Sequence, residues 1–258
     1  MGDPATELVL ARVDGHVATV TLNQPERKNP LSDPMIRALT AAFELPEVRG
    51  AGVVVIRGAG GVFSAGGDIK QFHASLTTDA SEQLEGTRDF REMLLTLESL
   101  EAVTVAVVEG PALGGGCGLT AACDYAIASN TAKFGCPEIK LGAFPMLIAP
   151  ALVRAIGARA TYALSVSGDL IDAQRALDLG LVSQVVSAAA LEEHVADYIE
   201  RANAVPADVL KMGKMAVRAA MSNDYRAGVE AGSTLRSLLF SSPAFHEGVN
   251  AFVSRSRS

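Results

Sequence analysis

The chain has 258 residues, enough for one large domain or one domain with a smaller appendage, and 49% of them are hydrophobic against 20% charged. That balance describes a globular protein with ample core material, and the formal net charge of −7 speaks against a nucleic-acid partner. The three cysteines, Cys117, Cys123 and Cys136, make neither a disulfide framework nor a zinc pair and read as reduced, buried thiols; no metal site is expected.

At the N-terminus no basic-then-apolar leader is visible, and no apolar run is long enough for a bilayer, so the expected location is cytoplasmic with no membrane partner. Met1, Gly2 and Thr6 fit a loose myristoylation pattern without the second signal that stable anchoring needs. Residues 8–12 and 17–22 read as strands joined at the Asp14-Gly15 turn signal, and residues 23–30 as a polar loop. Ser32 is placed to cap a helix over 33–44, with Pro34 tolerated in its first turn. Residues 52–57 are a continuous apolar run bounded by glycines, which suits a strand buried on both faces. The glycine turn Phe63-Ser64-Ala65-Gly66-Gly67-Asp68-Ile69-Lys70 follows it.

Residues 71–87 are polar and patternless, which predicts a mobile loop or a short helix over a site. Phe90, Met93, Leu94 and Leu97 recur at helical spacing within 88–99. The unit then repeats in outline: strand 103–108, glycine turn Gly110-Pro111-Ala112-Leu113-Gly114-Gly115-Gly116-Cys117, helix 115–122, strand 125–128. Such a series predicts parallel strands joined by right-handed crossovers. After about residue 145 strand signals fade. Helices are predicted over 147–156, 158–166, 172–179, 191–202, 207–221, 225–240 and 243–254. The fold class is therefore α/β in the early half and helical in the late half.

Glycine lets the backbone approach another group closely, so two such turns can aim two N–H groups at one developing oxyanion. A nucleotide loop is the competing reading. Phe63 stands where the third glycine of that fingerprint belongs after Gly58-Ala59-Gly60, Leu119 does so after the second turn, and neither carries a Walker lysine.

With Phe134-Gly135-Cys136-Pro137-Glu138-Ile139 downstream, the two turns resemble those of the crotonase (enoyl-CoA hydratase/isomerase) family, and the resemblance runs from Val17 to about Val253. It implies a spiral of ββα units carrying an acyl-CoA site, drawn here as residues 1–195, then a C-terminal helical oligomerisation region, residues 196–258. It implies a homotrimer or a dimer of trimers and no cofactor beyond the coenzyme A carried by the substrate. Carried over by position, Gly67 and Gly115 supply the oxyanion-hole amides. Ala65, Asp68, Ile69 and Lys70 match the strip that binds the adenine end of coenzyme A. Arg27 and Lys28, in Pro25-Glu26-Arg27-Lys28-Asn29, match the loop along the cofactor's phosphates, or are solvated charges.

The standard hydratase of the family flanks the double bond with two glutamates. The first position falls here on Gly118, which has no ionisable side chain; the second is retained as Glu138. Glu138 is thus the candidate general acid/base, its pKa raised by apolar neighbours such as Phe134, Ile139 and Leu141. A single carboxylate suffices to move a proton along an acyl chain, which favours isomerisation of 3-enoyl-CoA to 2-enoyl-CoA. An atypical one-glutamate hydratase and a non-catalytic acyl-CoA-binding subunit are the alternatives. Met146 and Leu147 replace a glycine-rich stretch of the common hydratases and predict a smaller, drier pocket.

Other polar residues are read as structural: Asp124 and Glu109 at turns, Ser64 with no histidine partner, and His16, His73, His194 and His246 scattered along the chain. Lys211, Lys214 and Arg218 repeat along one helix face and read as solvated, or as contacts for a neighbouring subunit's coenzyme A phosphate.

Overall fold

The computed structural model describes residues 7–255, so Gly2 and Thr6 of the myristoylation pattern lie outside the described residues. The strands are β1 (Val9–Asp14), β2 (Val17–Leu22), β3 (Val53–Gly58), β4 (Val103–Val108), β5 (Pro111–Leu113), β6 (Tyr125–Ser129), β7 (Lys133–Gly135), β8 (Ile171–Asp172) and β9 (Gln184–Val186). A six-stranded sheet runs β1-β2-β3-β4-β6-β9, antiparallel only between β1 and β2. A small second sheet, β5-β7-β8, stands beside it.

Helices α1 (Asp33–Glu44) and α2 (Pro46–Arg49) link β2 to β3; α3 (Ile69–Ala74), α4 (Ala80–Gly86) and α5 (Arg88–Ser99) link β3 to β4. Helix α6 (Gly115–Ala122) follows β5, and α7 (Ala149–Ser167) and α8 (Ala173–Leu179) lie on either side of β8. The chain continues with α9 (Leu191–Asn203), α10 (Ala207–Ser222), α11 (Tyr225–Phe240) and α12 (Pro243–Arg255). The architecture is α/β followed by C-terminal helices, as the sequence predicts.

Parallel strands joined by helices need cover on both faces, and alternation along each strand supplies it. Val54, Ile56, Ala106 and Val108 join the main core with Leu39, Phe43, Met93 and Leu119. Their neighbours Val53, Val55, Val105 and Val107 face the other way, onto Leu191 and Val195 of α9. Each such side chain contributes roughly 1.5–3 kcal/mol of burial.

Several expectations change. Residues 71–87 take the short-helix alternative of the two predicted: Asp79 accepts from the Ser81 and Glu82 amides, and Glu82 reaches back to the Asp79 amide, a capping box spelled by Asp79-Ala80-Ser81-Glu82. Ser32 stands at the cap position of α1 but makes no side-chain cap bond; Pro34 has no amide to offer, and Gln71 Oε1 accepts the Asp33 N–H instead. Strands persist after residue 145, because β8 and β9 are too short for a periodic signal. The two helices predicted over 147–166 abut in α7 at Gly157, whose φ of 75° breaks the rod. Among the described residues no helix is long and apolar enough to cross a membrane.

Of the basic residues on α10, Lys214 is docked rather than solvated. Lys214 donates to Ala102 O and to Asp124 Oδ2, and its side chain is only 8% exposed. Asp124 also accepts from the Thr104 amide and hydroxyl at 2.8 Å each. Lys211 pairs with Glu101 and Arg218 lies near Glu98, both exposed carboxylates of the same chain. Burial lowers the Lys214 pKa, against the pull of Asp124. Removing one partner of a buried pair strands the other, whereas exposed pairs are worth little. Lys214→Ala is therefore expected to lose about 3 kcal/mol in urea denaturation, and Lys211→Ala about 0–1 kcal/mol.

Candidate active site

Four segments far apart in sequence meet at the carboxyl ends of β3 and β4. The first is the turn after β2, where Lys28 and Asn29 take left-handed φ values of 64° and 50°. Asn29 is fully buried; its Oδ1 accepts the Gln24 amide, and its Nδ2 donates to Ala59 O and Val62 O at 3.0 and 2.7 Å. Lys28 O and the Leu31 amide then pair with the Ala65 amide and Gly66 O of the first glycine turn.

Ser64 is the hinge between the two glycine turns. Its hydroxyl donates to Asn29 O at 2.7 Å and accepts the Gly66 amide at 3.1 Å. Its backbone gives an N–H to Pro111 O and receives the Leu113 N–H. The Gly114 amide donates to Gly135 O at 2.8 Å, which brings in the fourth segment, β7 and the helical turn Pro137–Leu141 that carries Glu138.

Gly114 precedes α6 with φ 51°, and a Cβ there would stand 2.7 Å from Glu138 Oε1. Only glycine supplies both that conformation and that clearance. The Glu138 carboxylate thus lies directly over the start of α6. Its Oε2 is buried with no hydrogen-bond partner, and desolvation raises its pKa above the ordinary carboxylate value, opposed only by its own backbone amide. Phe134 is buried as expected, but Ile139 and Leu141 are 37% and 60% exposed, so they are not the desolvating neighbours. The Cys136 thiol has its pKa raised by its contact with Cys117, by burial and by the charge of Glu138.

Among the described residues neither the Gly67 nor the Gly115 N–H donates to a protein acceptor, and Gly115 opens α6, where first-turn amides have no intrahelical partner. The Phe72 ring lies against Gly67, and Leu31 and Phe90 lie against Gly115. Asp68 caps α3 through the Lys70 amide and pairs with Arg27 at 2.7 Å. Burial pushes its pKa up, but the Arg27 guanidinium and the Lys70 amide hold it below the usual carboxylate range. Arg27, Lys28, Ile69 and Lys70 form an exposed rim beside half-buried Ala65 and Asp68.

Met146 and Leu147 do not pack into this cluster. They are 74% and 40% exposed and line a separate cavity of about 870 Å³ with Leu94, Val217 and Met221. Ile148 beside them is 2% exposed and packs onto Gly118. Sequence reading missed Ile148, Gly114, Asn29 and the Phe72 and Phe90 rings. The four histidines do not gather, and His73 is exposed on α3. Among the described residues no group of three or more His, Cys, Asp or Glu side chains is placed to hold a metal.

The family model for enoyl-CoA hydratase/isomerase matches residues 12–258. The chain belongs to the enoyl-CoA hydratase/isomerase family. It is similar to the probable enoyl-CoA hydratase echA8 of Mycobacterium bovis, 36% identical over 251 residues and 96% of each protein. In structure it is similar to an enoyl-CoA hydratase of Mycobacterium smegmatis, with TM-score 0.90, 31% identity and 96% of each chain covered. A Thermobifida fusca protein solved in complex with CoA matches with TM-score 0.83 and 30% identity, over 92% of this chain and 94% of its own. The chain is accordingly a crotonase-type enzyme acting on CoA thioesters.

The Ser64 hydroxyl is buried and serves two partners, so Ser64→Ala strands Gly66 N–H and Asn29 O. A loss of about 1–3 kcal/mol in urea denaturation is expected, larger than for an exposed serine such as Ser222.

Proposed function

We propose that the enzyme isomerises 3-enoyl-CoA to 2-enoyl-CoA with Glu138 as its single proton shuttle. One observation carries the reading: Glu138 is a desolvated carboxylate with an unpartnered oxygen, and the helix it covers offers glycine, not a second acid, at position 118. As carboxylate it takes a proton from C2 of the acyl chain. The electrons move onto the thioester oxygen, which the Gly67 and Gly115 amides hold, and Glu138 returns the proton at C4. Two preorganised amides stabilise the enolate without reorganising, and each is worth about 3 kcal/mol in comparable sites. No cofactor beyond the substrate's own coenzyme A takes part.

Arg27 and Lys28 are assigned to the cofactor's phosphates, and the 65–70 strip to its adenine end. The CoA-bound neighbour supports this in kind. A homotrimer, or a dimer of trimers, belongs to the same reading. The exposure of Tyr225, Val229 and Leu238 on α11 and of Phe252 on α12 supports an assembly through these helices.

Hydration of 2-enoyl-CoA by Glu138 alone is the second reading, favoured by the hydratase names of the similar proteins. An ultraviolet assay separates the two: conjugated thioester absorbance rises from a 3-enoyl-CoA if the enzyme isomerises, and falls from a 2-enoyl-CoA if it hydrates. Glu138→Gln is expected to lower either rate about a thousandfold. If it leaves both intact, the assignment is wrong, and a wild type that binds acyl-CoA but turns over neither substrate would point to a binding subunit.

Because Glu138 acts as a base and its pKa is raised, isomerisation should fail on acidification at a pH above the ordinary carboxylate midpoint. The pH profile of kcat/KM reads that limb. Gly114→Ala pushes the carboxylate aside and strains the turn, so a fall in kcat of about a hundredfold is expected from the same assay.

A further inference from the structure

Gly114, the residue before α6, and Gly118 inside it are joined by the Gly118 N–H to Gly114 O bond of 3.0 Å. The Glu138 carboxylate covers the first. Ile148 covers the second: a Cβ on Gly118 would fall inside van der Waals contact of Ile148 Cβ and Cγ2. Glu138 and Ile148 thus cover two positions joined by one backbone hydrogen bond. Ile148 precedes α7, accepts the Leu152 amide through its carbonyl, and is anchored in the core with Cys117, Leu119 and Cys136. The space over Gly118, where a second acid would stand, is thus filled by a rigid alkyl group.

The geometry points to Ile148 as the specificity-determining residue of this site: it fills the space a second acid or an attacking water would need and so selects proton transfer over water addition. This rests on the reading of Glu138 as proton shuttle. Met146 and Leu147, exposed in the same segment, take no part in it. The glycine at 118 and the isoleucine at 148 are complementary, so neither alone can be exchanged for the hydratase arrangement. Gly118→Glu finds no room for its carboxylate while Ile148 remains.

The test compares full-length wild type with Ile148→Ala, Ile148→Leu, Gly118→Glu and Gly118→Glu/Ile148→Gly. Ile148→Leu conserves volume while removing the β-branch that touches Gly118, so it keeps the test alive if Ile148→Ala does not fold. The first readout is the ratio of hydration of a 2-enoyl-CoA to isomerisation of a 3-enoyl-CoA. The second needs no turnover: the Glu138 carboxyl titration, taken by infrared difference against Glu138→Gln. Ile148→Ala is expected to raise the ratio about tenfold and to move the titration to lower pH as water reaches the carboxyl. Ile148→Leu should do both to a smaller extent. Gly118→Glu alone should lose isomerisation and gain no hydration, and the double variant should hydrate faster than Gly118→Glu.

Folded Ile148→Ala and Ile148→Leu with wild-type ratio and wild-type titration would overturn the proposal. So would hydration by Gly118→Glu alone, since that needs the space assigned to Ile148. An active Glu138→Gln sinks the proton-shuttle reading itself; inert Ile148 variants beside an inactive Glu138→Gln sink only the role of Ile148.

Discussion

Ser64 gives its N–H to Pro111 O and takes the Leu113 N–H on its own carbonyl, so the first glycine turn hangs on the backbone that leads into the second. From there the Gly114 amide reaches Gly135 O, and the ladder extends to the segment that carries Glu138. Backbones this close leave no space for side chains: a Cβ on Gly116 would lie 2.7 Å from that of Ser64. The glycines are therefore a packing requirement before they are a chemical one. Once the ladder is made, the two unpaired amides and the carboxylate have no freedom to drift apart.

The ladder stands on a rigid base. β3 and β4 are buried on both faces, and the turns emerge from their carboxyl ends, where open parallel sheets present ligand sites. Around this base the electrostatics divide by burial. Among the described residues no cation offsets the burial that raises the Glu138 pKa, whereas Asp68 at the rim is held ionised by Arg27. The buried carboxyl is thereby shifted toward its protonated form, and the exposed rim stays charged. Lys214, buried against Asp124 on the opposite side of the cluster, ties α10 to the sheet.

Much of this was legible in the chain. The long apolar strands, the helices with three- and four-residue periodicity and the two glycine turns all follow from local pattern. That Gly118 stands in place of an acid follows only from the family resemblance, not from local pattern. The short strands β5, β7 and β8 were not, because two or three residues carry no period; their pairing is decided by the ladder. The desolvation of Glu138 was expected for the wrong reason, from Ile139 and Leu141, which neighbour it in sequence but face outward. Likewise Met146 and Leu147 looked like the bulk that dries the pocket, when the next residue in the chain is the one turned inward.

The sequence by itself determined the order of the parts: two glycine turns, then Glu138, with a glycine rather than an acid at position 118 in the helix between them. Tertiary structure alone decided what surrounds that carboxylate. Which of Met146, Leu147 and Ile148 points inward depends on how α7 enters the core, and which amides stay unpaired depends on which carbonyls other segments claim. Both are contacts between residues far apart in the chain, and local pattern carries no information about them.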